Sequence, residues 1–257
     1  MARGDPDNVS LPSAAYARAA LNLLDGFKTD SGVMLELFGE PYGIPDQETW
    51  ARYISKINSM ISAIRADGAH NILIVEPLNQ KFQTEAPGSA YPGGVTDPFH
   101  QILWAIHPYF DPVTSFVGAD LSKWDLYFGN FAATHPVIVS EWHANVGPLG
   151  NLHYEWCRTH PVDTVRRAFI YFANRKIDGV IGWAFDGRGY VIVNGYKKRP
   201  DGSEYLSSQP TSYNYADIGC GTERSPQVGR NFGELLKDYF AGRVPNQPIR
   251  QTMSPSQ

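Results

Sequence analysis

Three stretches of the sequence put reactive side chains directly after short apolar runs. Residues 33–40 read VMLELFGE and end on Glu40, before Pro41. Residues 136–141 read PVIVSE and end on Glu141, with Trp142 and His143 behind it. Residues 102–109 read ILWAIHPY and end on His107 and Tyr109. Short apolar runs suit buried strands of a parallel sheet. Ligands of parallel α/β folds bind at the carboxyl ends of the strands, so two carboxylates at two such ends can face one cleft. Such a pair has the chemistry to cleave a glycosidic bond. One carboxyl protonates the leaving oxygen while the other attacks the anomeric carbon or activates water. Carboxyls about 5–5.5 Å apart allow direct attack and a covalent glycosyl intermediate. A single Glu after a strand is ordinarily a solvated loop residue; the combination singles these out. Glu36 lies inside its strand pattern and is given no catalytic role. Glu76 ends NILIVE (71–76) before Pro77 and ranks lower, as a third carboxylate for the cleft.

The elements that must position these groups alternate. Residues 14–27 read as an Ala- and Leu-rich helix. Between Pro45 and Gly68 the residues Trp50, Tyr53, Ile54, Ile57, Met60, Ile61 and Ile64 share one helical face. Asp46 is placed to cap that helix and Gly68 to end it. Strands follow at 71–76 and 102–107, separated by a Pro/Gly-rich loop over 77–100. The pattern then predicts a helix over 120–134, with Leu121, Trp124, Phe128 and Phe131 inward, and a strand at 136–140. A helix at 162–176 and a strand at 179–185 come next. An insertion over 188–228 holds a hairpin around YVIVNGYKK, and a last helix covers 229–241. The catalytic portion is thus 1–241, and the Pro/Gln-rich 242–257 is a disordered tail. Alternation of helices and apolar strands implies a parallel sheet, either doubly wound or a (β/α) barrel. No G-x-G-x-x-G follows a strand, so the nucleotide-binding form has no support.

Composition narrows the class further. The chain of 257 residues is 42% hydrophobic and 19% charged, which suits a packed core. A net charge of −4 offers no basic field, so neither nucleic acid nor an anionic membrane is an expected partner. The 6 Trp and 14 Tyr suit stacking on sugar rings, or simply an aromatic core. Cys157 and Cys220 form no Cys-x-x-Cys unit, so no structural zinc is expected; their pairing stays open. No apolar run approaches the ~20 residues of a membrane helix. The N-terminus lacks the apolar stretch of a signal peptide, so a secreted parent would carry its signal outside this chain.

Four of these blocks, in order, resemble the cellulase-type glycoside hydrolases of family 5, a clan of retaining (β/α)8 barrels. LELFGEP resembles the motif that ends the family's fourth strand with the acid/base, here Glu40. His107-Pro108-Tyr109 is similar to its His-x-Tyr at the sixth strand. HPVIVSEW resembles the seventh strand with the nucleophile, here Glu141, and GVIGWAF the eighth with its Trp, here Trp183. The resemblance implies hydrolysis of β-glucan or a related β-linked polysaccharide with retention, outside the cell and without a cofactor or metal. It makes His107, Tyr109, Trp142 and Trp183 substrate-binding candidates, with Tyr109 donating to Glu141 and Trp183 as a sugar platform. Burial and the Glu141 charge are expected to raise the Glu40 pKa. Two departures stand out. Gly39 stands where the family has an Asn that binds the sugar 2-hydroxyl, and Asn145 is a candidate to supply that contact instead. The family's first three strands have no match, so the fold is expected to be an incomplete barrel. A preceding segment or a partner chain would then complete it.

Two other readings compete. Glu141, His143 and His107 suggest a zinc hydrolase. Alternatively, Gly39 and the unmatched strands suggest a barrel fragment that binds carbohydrate without turnover. A Ser-His-Asp hydrolase has no support, because no G-x-S-x-G occurs.

Overall fold

A computed structural model describes residues 9–108, 122–142, 161–177, 179–182, 196–198, 200, 204–206 and 239–242. The chain divides into two compact units, Met1–His107 with Ser122–Val139, and Pro108–Leu121 with Ser140–Gln257.

In the first unit, helix α1 spans Ala14–Leu24, capped where Ser13 Oγ accepts the Tyr16 N–H at 3.3 Å. Strand β1 is Met34–Glu36. Helix α2 spans Gln47–Ala66. Its start is fixed by the Asp46 carboxylate, which accepts the Thr49 N–H at 2.8 Å. It ends where Gly68 turns left-handed at φ +85°. The apolar stripe read from the sequence is buried, with only Ile54 half-buried. Strands β2 (Ile72–Val75), β3 (Ile102–Ile106) and β4 (Val137–Trp142) complete this part of the sheet.

Strands β1 to β4 pair in parallel, in register through Met34 and Ile72, Leu73 and Ile102, and Trp104 and Val137. With β5 (Gly179–Gly182) the sheet order is β1-β2-β3-β4-β5, the order of the sequence itself. A doubly wound sheet reverses its order at a switch point, whereas a (β/α) barrel adds each strand beside the last. The strand order therefore decides between the two arrangements in favour of the barrel type. Ile74, Ala105 and Ile138 form a buried cluster on this sheet.

The predicted helix over 120–134 is broken up. Among the described residues it runs as α3 (Ser122–Trp124), a π-helical turn (Asp125–Gly129) and α4 (Asn130–Ala132). The wider turn buries Trp124, Tyr127 and Phe128 together. Phe131 stacks on Phe82 with ring centroids 3.6 Å apart, which fastens the 77–100 loop to this segment. Trp50 Nε1 donates to the Ser89 carbonyl at 3.2 Å and Asn58 Nδ2 to the Gly94 carbonyl at 2.8 Å. Arg65 grips Asp97 with two nitrogens, each at 2.8 Å, and both side chains are buried. The loop is irregular in backbone yet fixed by side chains of α2.

In the second unit, helix α5 (Pro161–Asn174) packs Phe169 and Phe172 against Trp142 at the end of β4. Strands β6 (Tyr196–Lys198) and β7 (Glu204–Leu206) form an antiparallel pair. Of the stretch YVIVNGYKK, where a hairpin is expected, only the last three residues are described, and they pair with β7 downstream. No helix among the described residues is long and apolar enough to cross a membrane.

Candidate active site

The site in the first unit is built from the loops that leave β1, β2 and β3. After β1 the Leu37 N–H donates to the Ile74 carbonyl at 3.0 Å, keeping the chain beside β2. Glu40 then adopts φ +52°, a left-handed backbone that disfavours any residue with a Cβ. What holds it there is Glu76, whose Oε2 accepts the Glu40 N–H at 3.0 Å. Backbone strain maintained by its surroundings is a mark of functional loops. Glu76 itself is 0% exposed. Its backbone carbonyl accepts the hydroxyl of Tyr53 from the apolar stripe of α2.

His107, 3% exposed, stands between the two carboxylates. Its Nδ1 lies 3.3 Å from Glu40 Oε1 and its Nε2 lies 3.1 Å from Glu76 Oε1. The second approach is a close contact by distance, and Oε1 receives no well-aligned hydrogen bond there. A carboxyl group buried this deeply needs polar partners, and the Glu40 N–H and the His107 ring are the ones beside it. The His107 backbone N–H donates to Gln80 Oε1 at 2.9 Å, and the Asn79 N–H to the Pro41 carbonyl at 2.8 Å. Asn79 and Gln80 are both left-handed, at φ +53° and +63°, so the β2 loop curls back over the β1 loop.

The electrostatics of Glu40 run opposite to expectation. The hydrogen bond with His107 pulls its carboxyl below the ordinary value of 4.5. Partial burial pushes the other way, and the charge attraction of His107 adds to the lowering. The side chain is 63% exposed, so desolvation is the weaker effect. The expected rise assumed a buried acid, and this one faces solvent.

His107 was expected to touch substrate hydroxyls or a network through Tyr109. The structure instead places it against Glu40 and Glu76. In the second unit, Glu141 is half-buried within β4, between Ser140 and Trp142, which are buried. Trp142 was expected to bind substrate. It is wholly buried, edge-on to Phe169 and Phe172, and packs the core instead. Tyr109, Trp183, His143, Asn145 and both cysteines lie outside the described residues. Sequence reading undervalued Glu76; the signal was a carboxylate ending an apolar strand just before Pro77. A Cβ at Gly39 would come no nearer than 3.8 Å to Glu76 Oε1, so the position has room for a side chain. Glu36, Glu76 and His107 could together offer a cation three ligand atoms, all within 4.8 Å of one another. His107 already faces both Glu76 and Glu40 there.

A model of the family described as Cellulase (glycosyl hydrolase family 5) matches residues 5–201. Among solved structures, XacCel5A in complex with cellopentaose is 19% identical, with a TM-score of 0.53 over 79% of this chain and 65% of that one. An endo-β-1,4-glucanase from Xanthomonas axonopodis pv. citri, solved as a triple mutant, is 18% identical. That match has a TM-score of 0.53 and covers 89% of this chain and 66% of the other. The catalytic domain of the major endoglucanase from Xanthomonas campestris pv. campestris is 16% identical. Its TM-score is 0.54, over 89% of this chain and 62% of that one. The chain therefore spans somewhat under two thirds of the length of these structures and shares their fold.

Proposed function

Since the chain belongs to the cellulase family, glycosyl hydrolase family 5, we propose that it is a retaining hydrolase of β-1,4-linked glucan, with Glu40 as acid/base and Glu141 as nucleophile. The single observation that carries this reading is the way Glu40 is held. Its backbone is fixed in a strained conformation by a buried carboxylate, and its side chain is exposed toward solvent against an imidazole. That is the arrangement of a group that must meet a substrate in one orientation.

In the first step Glu40 gives its proton to the leaving oxygen while a Glu141 oxygen bonds to the anomeric carbon. The glycosidic C–O bond breaks with its electrons on the departing sugar. In the second step Glu40, now a carboxylate, takes a proton from water, and the water oxygen displaces Glu141 from the anomeric carbon. His107 polarises Glu40 and favours its ionised form, which assists the second step more than the first. The similar proteins, one bound to cellopentaose and another an endo-β-1,4-glucanase, support a cellulose-type chain as the ligand. A polymer of that size cannot enter a cell, so the reaction belongs outside it. Residues 1–241 carry the catalytic portion in this reading.

The test is hydrolysis of soluble β-glucan by the full chain beside Glu40→Gln and Glu141→Gln. Each variant should lose turnover by roughly 10³-fold or more with an unchanged circular dichroism spectrum. Full activity in either variant would refute its assignment. Binding of oligosaccharide by the parent chain with no turnover would leave a carbohydrate-binding barrel instead.

A further inference from the structure

Three chemistry-bearing side chains beside the acid/base sit at the ends of three adjacent strands. Glu36 closes β1, Glu76 follows β2 and His107 follows β3. Strand β1 pairs with β2 and β2 with β3, so these positions are neighbours across the sheet. Each side chain offers one ligand atom, and the three atoms lie within 4.8 Å of one another. The mechanism gives Glu36 no part. It uses Glu76 only through Oε2, which holds the Glu40 N–H. The atom left over is Glu76 Oε1, on a side chain that is 0% exposed. It lies 3.1 Å from His107 Nε2 and receives no well-aligned hydrogen bond.

A contact that is short but poorly aligned is the geometry that a shared cation creates. A hydrogen bond needs its acceptor nearly in line with the N–H. Two ligands of one zinc ion, each about 2.0–2.2 Å from the metal, instead stand about 3.0–3.5 Å apart, with the oxygen roughly 40° off the axis of the nitrogen lone pair. The surroundings fit the same reading. A histidine that binds metal through one nitrogen donates its other N–H to a carboxylate or carbonyl, and His107 Nδ1 lies 3.3 Å from Glu40 Oε1. Glu76 is oriented on its far side by the Glu40 N–H at 3.0 Å and at its backbone carbonyl by the Tyr53 hydroxyl. Two carboxylates beside one imidazole concentrate negative charge that a divalent ion neutralises. Glu36 is partly exposed, which leaves an entry path from solvent.

We propose that Glu36, Glu76 and His107 bind a divalent ion of the zinc class, which ties the ends of β1, β2 and β3 together beside the acid/base. Imidazole combined with carboxylate suits zinc and cobalt, whereas calcium and magnesium prefer oxygen ligands alone. Three protein ligands leave a further position for water, as in open zinc sites. This is not the zinc hydrolase suggested by the sequence, because Glu141 and His143 take no part. The site stands whether or not the chain turns over glucan.

The test is calorimetric titration of the full chain, stripped of metal by a chelator, with zinc chloride. One ion per chain should bind in the micromolar range or tighter, and calcium at about a hundred-fold excess should not compete. Glu36→Gln keeps the side-chain shape and should weaken binding about ten-fold or more with an unchanged circular dichroism spectrum. Glu141→Gln should bind as the parent does. Saturating zinc should raise the Tm of the parent and leave that of Glu36→Gln in place. Cobalt(II) probes the parent without any variant, and its visible spectrum should change from that of the aqueous ion to that of a four- or five-coordinate one. Absence of zinc binding, equal affinity in Glu36→Gln, a loss in Glu141→Gln instead, or a cobalt spectrum that stays aqueous would each overturn the proposal.

Discussion

Replacing His107 by Ala tests the central claim about the site, that a buried imidazole compensates a buried carboxylate. Glu76 is 0% exposed and its Oε1 lies 3.1 Å from His107 Nε2. Taking the imidazole away strands the carboxylate in the interior, which costs about 3–5 kcal/mol of folding free energy. Glu76→Gln alone keeps the side-chain shape and an acceptor for the Glu40 N–H. It exchanges a charge-assisted hydrogen bond for a neutral one, a loss of about 1–2 kcal/mol. The double variant has no stranded charge, so it should be more stable than the sum of the single losses predicts by about 1–3 kcal/mol. The assay is denaturant unfolding followed by tryptophan fluorescence on the parent, both single variants and the double. Losses that add to within about 0.5 kcal/mol would show that the two side chains do not interact, and the compensation argued for Glu76 would fall with them.

Two further outcomes are expected. A general acid works only while protonated, so the alkaline limb of the kcat/KM pH profile reports the Glu40 carboxyl. Because the His107 hydrogen bond is the largest influence lowering that carboxyl, His107→Gln should move the limb to higher pH, and a limb that stayed put or moved down would refute the cause given. Gly39→Asn should fold with stability within about 0.5 kcal/mol of the parent, since the added Cβ meets nothing nearer than 3.8 Å. It should raise kcat/KM on cellotetraose about ten-fold while leaving a 2-deoxy glycoside unaffected, because the gain comes through the 2-hydroxyl; equal gains on both substrates would refute that origin.

The parts of this fold that repeat were legible in the sequence, and the parts set by neighbours were not. Helix α2 could be read with its cap because Trp50, Tyr53 and Ile57 recur at helical spacing after Asp46. The strands were readable as apolar runs, and their ends gave Glu40 and His107. The π turn at Asp125–Gly129 was not readable, because periodicity of 3.6 fits Trp124, Phe128 and Phe131 whether or not one residue bulges. The pKa direction of Glu40 depends on which group stands 3.3 Å away and on how far the side chain reaches into solvent, neither of which a linear pattern encodes. Trp142 shows the same limit from the other side. A Trp beside a catalytic Glu suggests a sugar platform, but strand alternation turns neighbours to opposite faces, and this one faces Phe169 and Phe172.

The bracing of the 77–100 loop bears on how such a protein changes over generations. Its course is held by Trp50, Asn58 and Arg65 of the helix together with its own left-handed turns at Gly88, Gly93 and Gly94. Exposed residues between the anchor points, such as Ala86 and Pro87, can therefore mutate with little effect on the loop, whereas Gly88, at φ +75°, cannot take a side chain without strain. Asp97 is fixed too: it is gripped twice by one buried guanidinium. Descendants of this chain can drift in the exposed part of that loop while Glu40, held by Glu76, keeps its place, so selection can act on the loop and leave that side chain where it is.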